Sequence, residues 1–470
     1  MNIQKTRFCP SPTGALHLGN LRAALFSFLL SKKGKGKFLL RIEDTDLVRS
    51  EQEFVENIFN DLEWLQLLWD EGPKVEGENS PYFQSKRVNI YENFYKILLD
   101  RDLIYPCFTS EEELKVIRRN QLQAGEPPRY PGTWSGASQE EVRAEIDKGN
   151  LPVYRFRIPK GTQIQFDDLI KGKQSFDTID LDDFIVKKTD GTPSFMFANA
   201  VDDSLMGITC VLRGEDHLSN TPRQLALLDA LELPNPKFAH LPLFLGHDGS
   251  PLSKRNGSLS ISELREKGYI PSAILNYLVR VGHLNNDNNI KSIDELADFL
   301  DIGSISSSPS KFDQNQLKFW QKQAVEILDI SEVLSWLKPI IEDLIPQEIE
   351  IRSFISLIKE NIIFPEDAIN LSHAFFSEQK KYSEEALVYL SSTPSNFFDL
   401  AEKCINLSWG QWGVAMKKLG VESNTKGKNL YMPIRIALSG LTFGPELDQI
   451  VSFLGQDEVI KRLKEAKKIL

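Results

Sequence analysis

Residues Lys5–Phe8 read as a short strand, followed by the Pro- and Gly-rich loop Pro10–Asn20 and by Leu21, Leu25, Phe28 and Leu29 on one helix face. Gly34 and Gly36 end that helix, and Lys37–Ile42 is a second, largely apolar strand. Glu43-Asp44-Thr45-Asp46 is polar and turn-like, after which Phe54, Ile58, Leu62 and Leu65 recur at helical spacing. Strand, loop, helix, strand, helix implies a parallel α/β sheet. Ligands of such sheets sit beyond the carboxyl ends of the strands, so the Pro10–Asn20 loop and Glu43 are expected to face one pocket.

From about Cys107 to Lys188 the pattern becomes irregular and is broken by Gly125-Glu126-Pro127-Pro128 and Tyr130-Pro131-Gly132, which reads as an insertion. Strand-like segments return at Asp183–Lys188, Ile208–Arg213 and Phe238–Leu245. Ser260 is placed to form a capping box with Glu263, and helical spacing such as Ile274, Tyr277, Leu278 and Val281 then dominates to the end. Ser304–Ser310 is Ser-rich enough for a hinge between helical regions or a loop within one domain.

Composition narrows this picture. A chain of 470 residues, 41% hydrophobic and 26% charged, is long enough for two to four domains and is ordinary for a soluble globular protein. Apolar stretches such as Ala23–Leu30 fall short of the roughly 20 residues that span a bilayer. Met-Asn-Ile-Gln-Lys leads straight into a strand without a secretory pattern, so no membrane association and a cytoplasmic location are expected. Cys9, Cys107, Cys210 and Cys404 are scattered, with no C-x-x-C pair for zinc or redox chemistry. The net charge of −11 offers no global attraction to nucleic acid, so an RNA partner requires local basic surface.

Candidate chemistry lies in four places. In Pro10-Ser11-Pro12-Thr13-Gly14-Ala15-Leu16-His17-Leu18-Gly19-Asn20, glycine admits a ligand close to the backbone, His17 can donate to a phosphate oxygen, and the helix start offers N–H groups to an anion. Arg41-Ile42-Glu43-Asp44-Thr45-Asp46 places a carboxylate past a strand, where it can bind an ammonium. Arg7, Phe195, Asn199 and Arg213 fall near strand ends, and two arginine forks suit two carboxylates. Pro251-Leu252-Ser253-Lys254-Arg255 carries a lysine able to neutralise charge on a leaving phosphate. Taken alone, these are a Pro/Gly turn with a capping His, an acidic helix-capping turn, surface or ion-paired arginines and a basic turn.

Together they resemble the class I aminoacyl-tRNA synthetases. The loop resembles their "HIGH" region with Asn20 in its last position, Arg7-Phe8-Cys9-Pro10-Ser11-Pro12-Thr13-Gly14 resembles the glutamyl branch, and Ser253-Lys254-Arg255 resembles the "KMSKS" loop with Pro251 in place of its first lysine. Leu430-Tyr431-Met432-Pro433-Ile434-Arg435-Ile436-Ala437-Leu438-Ser439-Gly440 resembles the family's helical, bacterial-type end, where glutaminyl relatives carry β-barrels.

The resemblance implies a Rossmann-type parallel-sheet catalytic domain with an α+β insertion and an all-α anticodon-binding region. The expected domains are 1–106 and 189–256 as the two catalytic halves, 107–188 as a connective, acceptor-binding insertion, 257–318 as a helical stem-contact domain and 319–470 as the anticodon-binding domain. It implies ATP-dependent ligation of L-glutamate to tRNA-Glu through glutamyl-adenylate by a monomer, with Mg²⁺ accompanying the triphosphate. His17 and Lys254 would be catalytic, and Pro10, Thr13, Gly14, His17, Gly19, Asn20, Ser253, Lys254 and Arg255 would bind ATP. Arg7, Cys9, Ser11, Glu43, Phe195, Asn199 and Arg213 would bind glutamate, with Phe195 standing where many relatives have tyrosine. Some relatives hold zinc in the insertion; here only Cys107 remains and Trp134 stands where a thiol would be wanted, so no metal is expected. Lys417, Lys418, Lys426 and Lys428 offer a basic patch to tRNA phosphates. Glutamylation of tRNA-Gln, alone or with tRNA-Glu, and a catalytically weak tRNA-binding paralogue suggested by Pro251 and Phe195, stay open as alternatives.

Overall fold

A computed structural model describes residues 5–46, 50–75, 77–252, 259–284, 287–377 and 382–469. The chain forms two compact units, Met1–Arg265 with Ile274–Gln314, and Glu266–Ala273 with Asn315–Leu470.

The first unit starts with β1 (Lys5–Phe8), α1 (Leu18–Lys33) and β2 (Lys37–Leu40). The two strands pair in parallel with Lys5 opposite Lys37 and Phe8 opposite Leu40. The sequence gives α1 one apolar face, yet the helix is buried nearly all round, Arg22, Ser27 and Ser31 included. The reason is that β1 and β2 cover it on one side and the helix Ile293–Phe299 packs on it as well. α2 (Gln52–Trp64) and α3 (Val88–Asp100) follow.

The segment that reads as irregular is ordered. β3 (Ile104–Cys107), α4 (Glu111–Gln123), α5 (Gln139–Asp147), β4 (Val153–Phe156), β5 (Gln163–Asp168), β6 (Gly172–Asp177) and β7 (Phe184–Lys187) follow in turn. β3, β4 and β7 make an antiparallel sheet, whereas α4 and α5 bury no residue and so lack the apolar stripe that marks a helix in sequence. Their starts are instead fixed by capping boxes, Ser110 with Glu113 and Ser138 with Glu141.

α6 (Phe195–Leu205), β8 (Cys210–Gly214), α7 (Thr221–Ala230) and β9 (Lys237–Leu241) complete the catalytic sheet. β8 and β9 are parallel, and Thr209 N–H donates to Lys5 O at 2.9 Å, tying β8 to the edge of β1. The hairpin β5–β6 docks on the other edge, β5 running parallel to β9 with Asp168 opposite Phe238. β10 (Phe244–Leu245), α8 (Ile261–Glu266), α9 (Pro271–Arg280), α10 (Ile293–Phe299) and β11 (Ser310–Lys311) follow. β10 pairs in parallel with β11, and Ser306 N–H donates to Gly282 O, so Ser304–Ser310 is a loop held inside the first unit rather than a hinge.

The second unit is helical, with no strand among the described residues. Its helices are α11 (Gln314–Ile327), α12 (Ile330–Ile341), α13 (Ile351–Ile358), α14 (Pro365–Phe376), α15 (Glu384–Ser391), α16 (Phe397–Leu407), α17 (Trp412–Glu422), α18 (Lys428–Ser439) and α19 (Leu447–Lys467). They share one core that includes Leu337, Phe354, Phe397, Leu419, Ile434 and Leu463. Gly440 ends α18 at φ +76°, the left-handed conformation that glycine adopts without a Cβ penalty. No described helix is long and apolar enough to cross a membrane.

Candidate active site

Beyond the carboxyl ends of β1, β2, β8 and β9 lies a cavity of about 660 Å³. Arg7, Cys9, Pro10, Ser11, Thr13, His17, Gly19, Asn20, Glu43, Phe195, Asn199 and Arg213 all line it. Gly14 does not, and a Cβ built there would meet nothing within 4 Å. Ser253, Lys254 and Arg255 lie outside the described residues; Pro251 and Leu252 before them line the cavity. The loop after β1 is stitched to the end of β2 by Glu43 N–H to Pro10 O and Arg41 N–H to Phe8 O, both 3.0 Å. The parallel pairing of β1 and β2 thus brings the two sequence motifs together.

Behind the cavity wall is a buried ionic network. Arg7 Nε donates to Asp203 Oδ1 and Oδ2 at 3.1 and 3.2 Å, Nη1 donates to Leu212 O at 3.1 Å, and Nη2 reaches Asn199 Oδ1 at 3.4 Å. Arg41, fully buried, pairs with Asp203 at 2.9 Å and with Glu43 at 3.4 Å. Asn199 Nδ2 in turn donates to Glu43 Oε1. Burial alone would lower the Arg7 pKa, but Asp203 and the neighbouring Cys9 together raise it above its ordinary value. Asp203 is held below the usual carboxylate range by Arg7 and Arg41 against the opposing effect of burial. Burial raises Glu43 in spite of Arg41 and Arg7, so its charge is one that an incoming ammonium would stabilise. Arg41 and Asp203 were not among the sequence candidates. The signal for Asp203 is its spacing on α6: it sits four residues after Asn199 and shares that helix face.

Among the described residues, Arg213 has no carboxylate in hydrogen-bonding or ion-pair contact. Its Nε donates to His240 Nε2 at 3.2 Å and its Nη2 to Thr221 Oγ1 at 2.8 Å, while the buried Nη1 has no hydrogen-bond partner among the described residues. Burial lowers its pKa to about 10, and the charge of Arg7 adds to the effect. Arg22 also lines the cavity, donating to Pro242 O and Val281 O at 3.1 and 3.0 Å, and burial lowers it likewise to about 10. Of the three buried arginines that line the pocket with Glu43 and Asp216, Arg7 is paired with Asp203, whereas neither Arg22 nor Arg213 makes an ion pair among the described residues.

His17 is the N-cap of α1, its Nδ1 accepting from Gly19 N–H at 3.1 Å, which leaves the hydrogen of the neutral ring on Nε2. A Cβ at position 19 would lie 3.0 Å from His17 Cε1, so glycine is what lets the ring fold over the helix start. Phe195, the first residue of α6, places its ring 5.3 Å from that of His217. If the cavity takes the glutamate that the sequence resemblance implies, Phe195→Tyr, which adds a hydroxyl to its wall, is expected to lower the glutamate KM by about tenfold with little change for ATP in steady-state kinetics. Equal changes in the two constants remove Phe195 from that role.

In the insertion, Arg155 Nε donates to Cys107 Sγ at 3.3 Å, Tyr130 OH lies 3.3 Å from the same sulfur, and the guanidinium sits 3.9 Å from the centre of the Tyr130 ring. No three His, Cys, Asp or Glu side chains gather as a ligand set among the described residues. A cation beside a lone thiol is a poor zinc donor set. Elemental analysis of protein purified without added metal is expected to find less than stoichiometric zinc; one equivalent overturns this.

The description "tRNA synthetases class I (E and Q), catalytic domain" matches residues 4–319. The chain belongs to this family. An anticodon binding domain matches residues 330–467 of this synthetase. The chain is 44% identical over 460 residues to glutamate–tRNA ligase 2 of Nitrosococcus oceani, covering 98% of this chain and 97% of that one. It is 43% identical over 462 residues to glutamate–tRNA ligase 1 of Halorhodospira halophila, covering 98% and 96%. The crystal structure of a glutamate tRNA ligase from Elizabethkingia meningosepticum in complex with its amino acid superposes with a TM-score of 0.88 at 30% identity, covering 99% of each chain. The α/β catalytic unit with a parallel sheet and the helical C-terminal region expected of a class I synthetase are both present.

Proposed function

We propose that the protein ligates L-glutamate to tRNA-Glu at the expense of ATP, by way of glutamyl-adenylate. The observation that carries this reading is the convergence of Arg7, Arg213 and Glu43, all buried, on one cavity, with Nη1 of Arg213 lacking a hydrogen-bond partner among the described residues. Two guanidinium groups suit the two carboxylates of glutamate and Glu43 suits its ammonium, while Asn199, Ser11, Cys9 and Phe195 shape the space between. The triphosphate would lie along Pro10, Thr13, His17, Gly19 and Asn20 and bring Mg²⁺ with it, while Ser253, Lys254 and Arg255, assigned to it by the sequence motif, lie outside the described residues.

The substrate itself is the nucleophile. Its α-carboxylate oxygen attacks the α-phosphorus of ATP, the bond to the bridging oxygen breaks, and pyrophosphate leaves with the electron pair. A terminal ribose hydroxyl of the tRNA then attacks the acyl carbon, and AMP departs. No side chain forms a covalent intermediate; the protein supplies positioning and charge, with the His17 Nε2–H available to phosphate oxygens and the charge of Lys254 assigned to them by its motif. The helical unit contacts the anticodon end. There Trp412, Lys428, Tyr431 and Arg435, together with Glu446 and Asp448, line a cavity of about 490 Å³ whose rings and hydrogen-bonding side chains suit an unstacked base.

Transfer of labelled glutamate to purified tRNA-Glu and tRNA-Gln, assayed separately, tests the reading. ATP-dependent transfer to tRNA-Glu is expected. Transfer to tRNA-Gln alone reassigns the tRNA, and transfer to neither sinks the enzyme.

A further inference from the structure

We propose that Asp168 and His240 are positioning residues that hold Arg213 so that its Nη1, without a hydrogen-bond partner among the described residues, is presented to the substrate, which rests on the reading above that Arg213 takes a carboxylate of glutamate. His240 is the fourth residue of β9 and directly opposes Arg213 of β8 in the parallel register. Its Nδ1 lies 2.6 Å from Asp168 Oδ2, and its Nε2 receives Arg213 Nε–H at 3.2 Å. Both His240 and Asp168 are buried.

The chemistry of each link follows from its neighbours. A carboxylate accepts only, so Asp168 fixes the hydrogen of the imidazole on Nδ1 and leaves a lone pair on Nε2. That lone pair orients the guanidinium without cancelling its charge. A carboxylate in the place of His240 would hold Arg213 just as firmly but would neutralise it, and the cavity would lose its pull on an anion. Asp168 is fixed in turn by backbone N–H groups of Ile170 and Lys171 at 2.9 and 2.8 Å and of His240 at 3.1 Å. The groups facing the imidazole are Asp168 from β5, Arg213 from β8, Thr221 from α7, whose hydroxyl is 3.0 Å from Nε2, and Asp216 in the turn after β8. Burial and Arg213 favour the neutral ring over the opposing effect of Asp168.

Asp168 belongs to β5, the strand by which the insertion's hairpin docks on the catalytic sheet, at the one position that pairs with β9. The insertion is therefore part of the glutamate pocket through the chain Asp168, His240, Arg213. Disturbing the hairpin disturbs the orientation of the substrate-facing guanidinium.

The full-length protein carrying Asp168→Asn, His240→Gln, His240→Ala or Arg213→Lys is assayed for kcat, for the KM of glutamate and ATP separately, and for Tm. An amide at 168 can donate to Nδ1 and turn the Nε2 hydrogen toward Arg213 Nε–H. Asp168→Asn is expected to raise the glutamate KM by about tenfold or more while the ATP KM stays within about twofold. His240→Gln keeps an acceptor within reach of Arg213 and should remain closer to wild type than His240→Ala; this comparison decides the matter if Asp168→Asn does not fold. Glutamate and ATP constants that rise together, or a glutamate KM unmoved by Asp168→Asn and His240→Ala, overturn the positioning role. If Arg213→Lys also leaves the glutamate KM unchanged, the reading of the pocket fails first; if it raises that KM while the other variants do not, the positioning role alone fails.

Discussion

Replacing Arg213 with alanine is expected to lower kcat/KM for glutamate by about 10²–10³-fold, because truncating one partner of a buried, hydrogen-bonded charge pair costs about 2–5 kcal/mol. The guanidinium is buried, is oriented by His240 and Thr221, and keeps Nη1 without a partner among the described residues. That geometry has no internal use for the charge. Burial, with the charge of Arg7 adding to it, lowers its pKa to about 10, so holding this cation in the free protein carries a cost that a neutral side chain does not. Arg213→Met should therefore leave Tm unchanged or raise it, while losing as much activity as the alanine variant. Lysine offers a point charge in place of a planar fork and is expected to recover only part of the loss. Steady-state kinetics with glutamate and ATP varied separately, alongside thermal melting, checks both halves. A fall of less than about fivefold, or a destabilisation that tracks the lost activity, removes Arg213 from substrate binding.

How much of this was legible in the sequence depends on whether the signal is local. The order of β1, its loop, α1 and β2 follows from apolar spacing and from Gly and Pro, and parallel pairing then brings Glu43 beside Pro10. The partners that set the electrostatics are distant in sequence. Arg7 meets Asp203 196 residues later, and nothing local distinguishes that aspartate from its neighbours until α6 is recognised as a helix presenting Asn199 and Asp203 on one face. Asp168 and His240 were missed for a similar reason, since β5 falls in the segment that reads as an irregular insertion and only its docking on β9 shows what its last residue does. The insertion's helices escaped a search for apolar periodicity because they bury no residue. Their capping boxes were the available sign.

Asp203→Ala is the substitution expected to cost the most stability, about 3–5 kcal/mol, because it leaves Arg7 and Arg41 buried beside an apolar methyl group. Glu43 cannot compensate: it lies 3.4 Å from Arg41 and also accepts from Asn199. Asp203→Asn keeps oxygen and nitrogen atoms of similar size and should lose less. The pH dependence gives an independent check on sign. Asp203 is held below the usual carboxylate range, so the stability it contributes is complete above that range and is lost as pH falls through its folded-state pKa. Glu43, raised by burial, works in the opposite direction, since its protonation at a higher pH relieves a buried charge. The acid-unfolding limb of the catalytic unit below the ordinary carboxylate range should accordingly shrink in Asp203→Asn. Denaturant melts at neutral pH and across that acid window test this, and an Asp203→Ala protein within about 1 kcal/mol of wild type would show that the buried network does not hold the unit together.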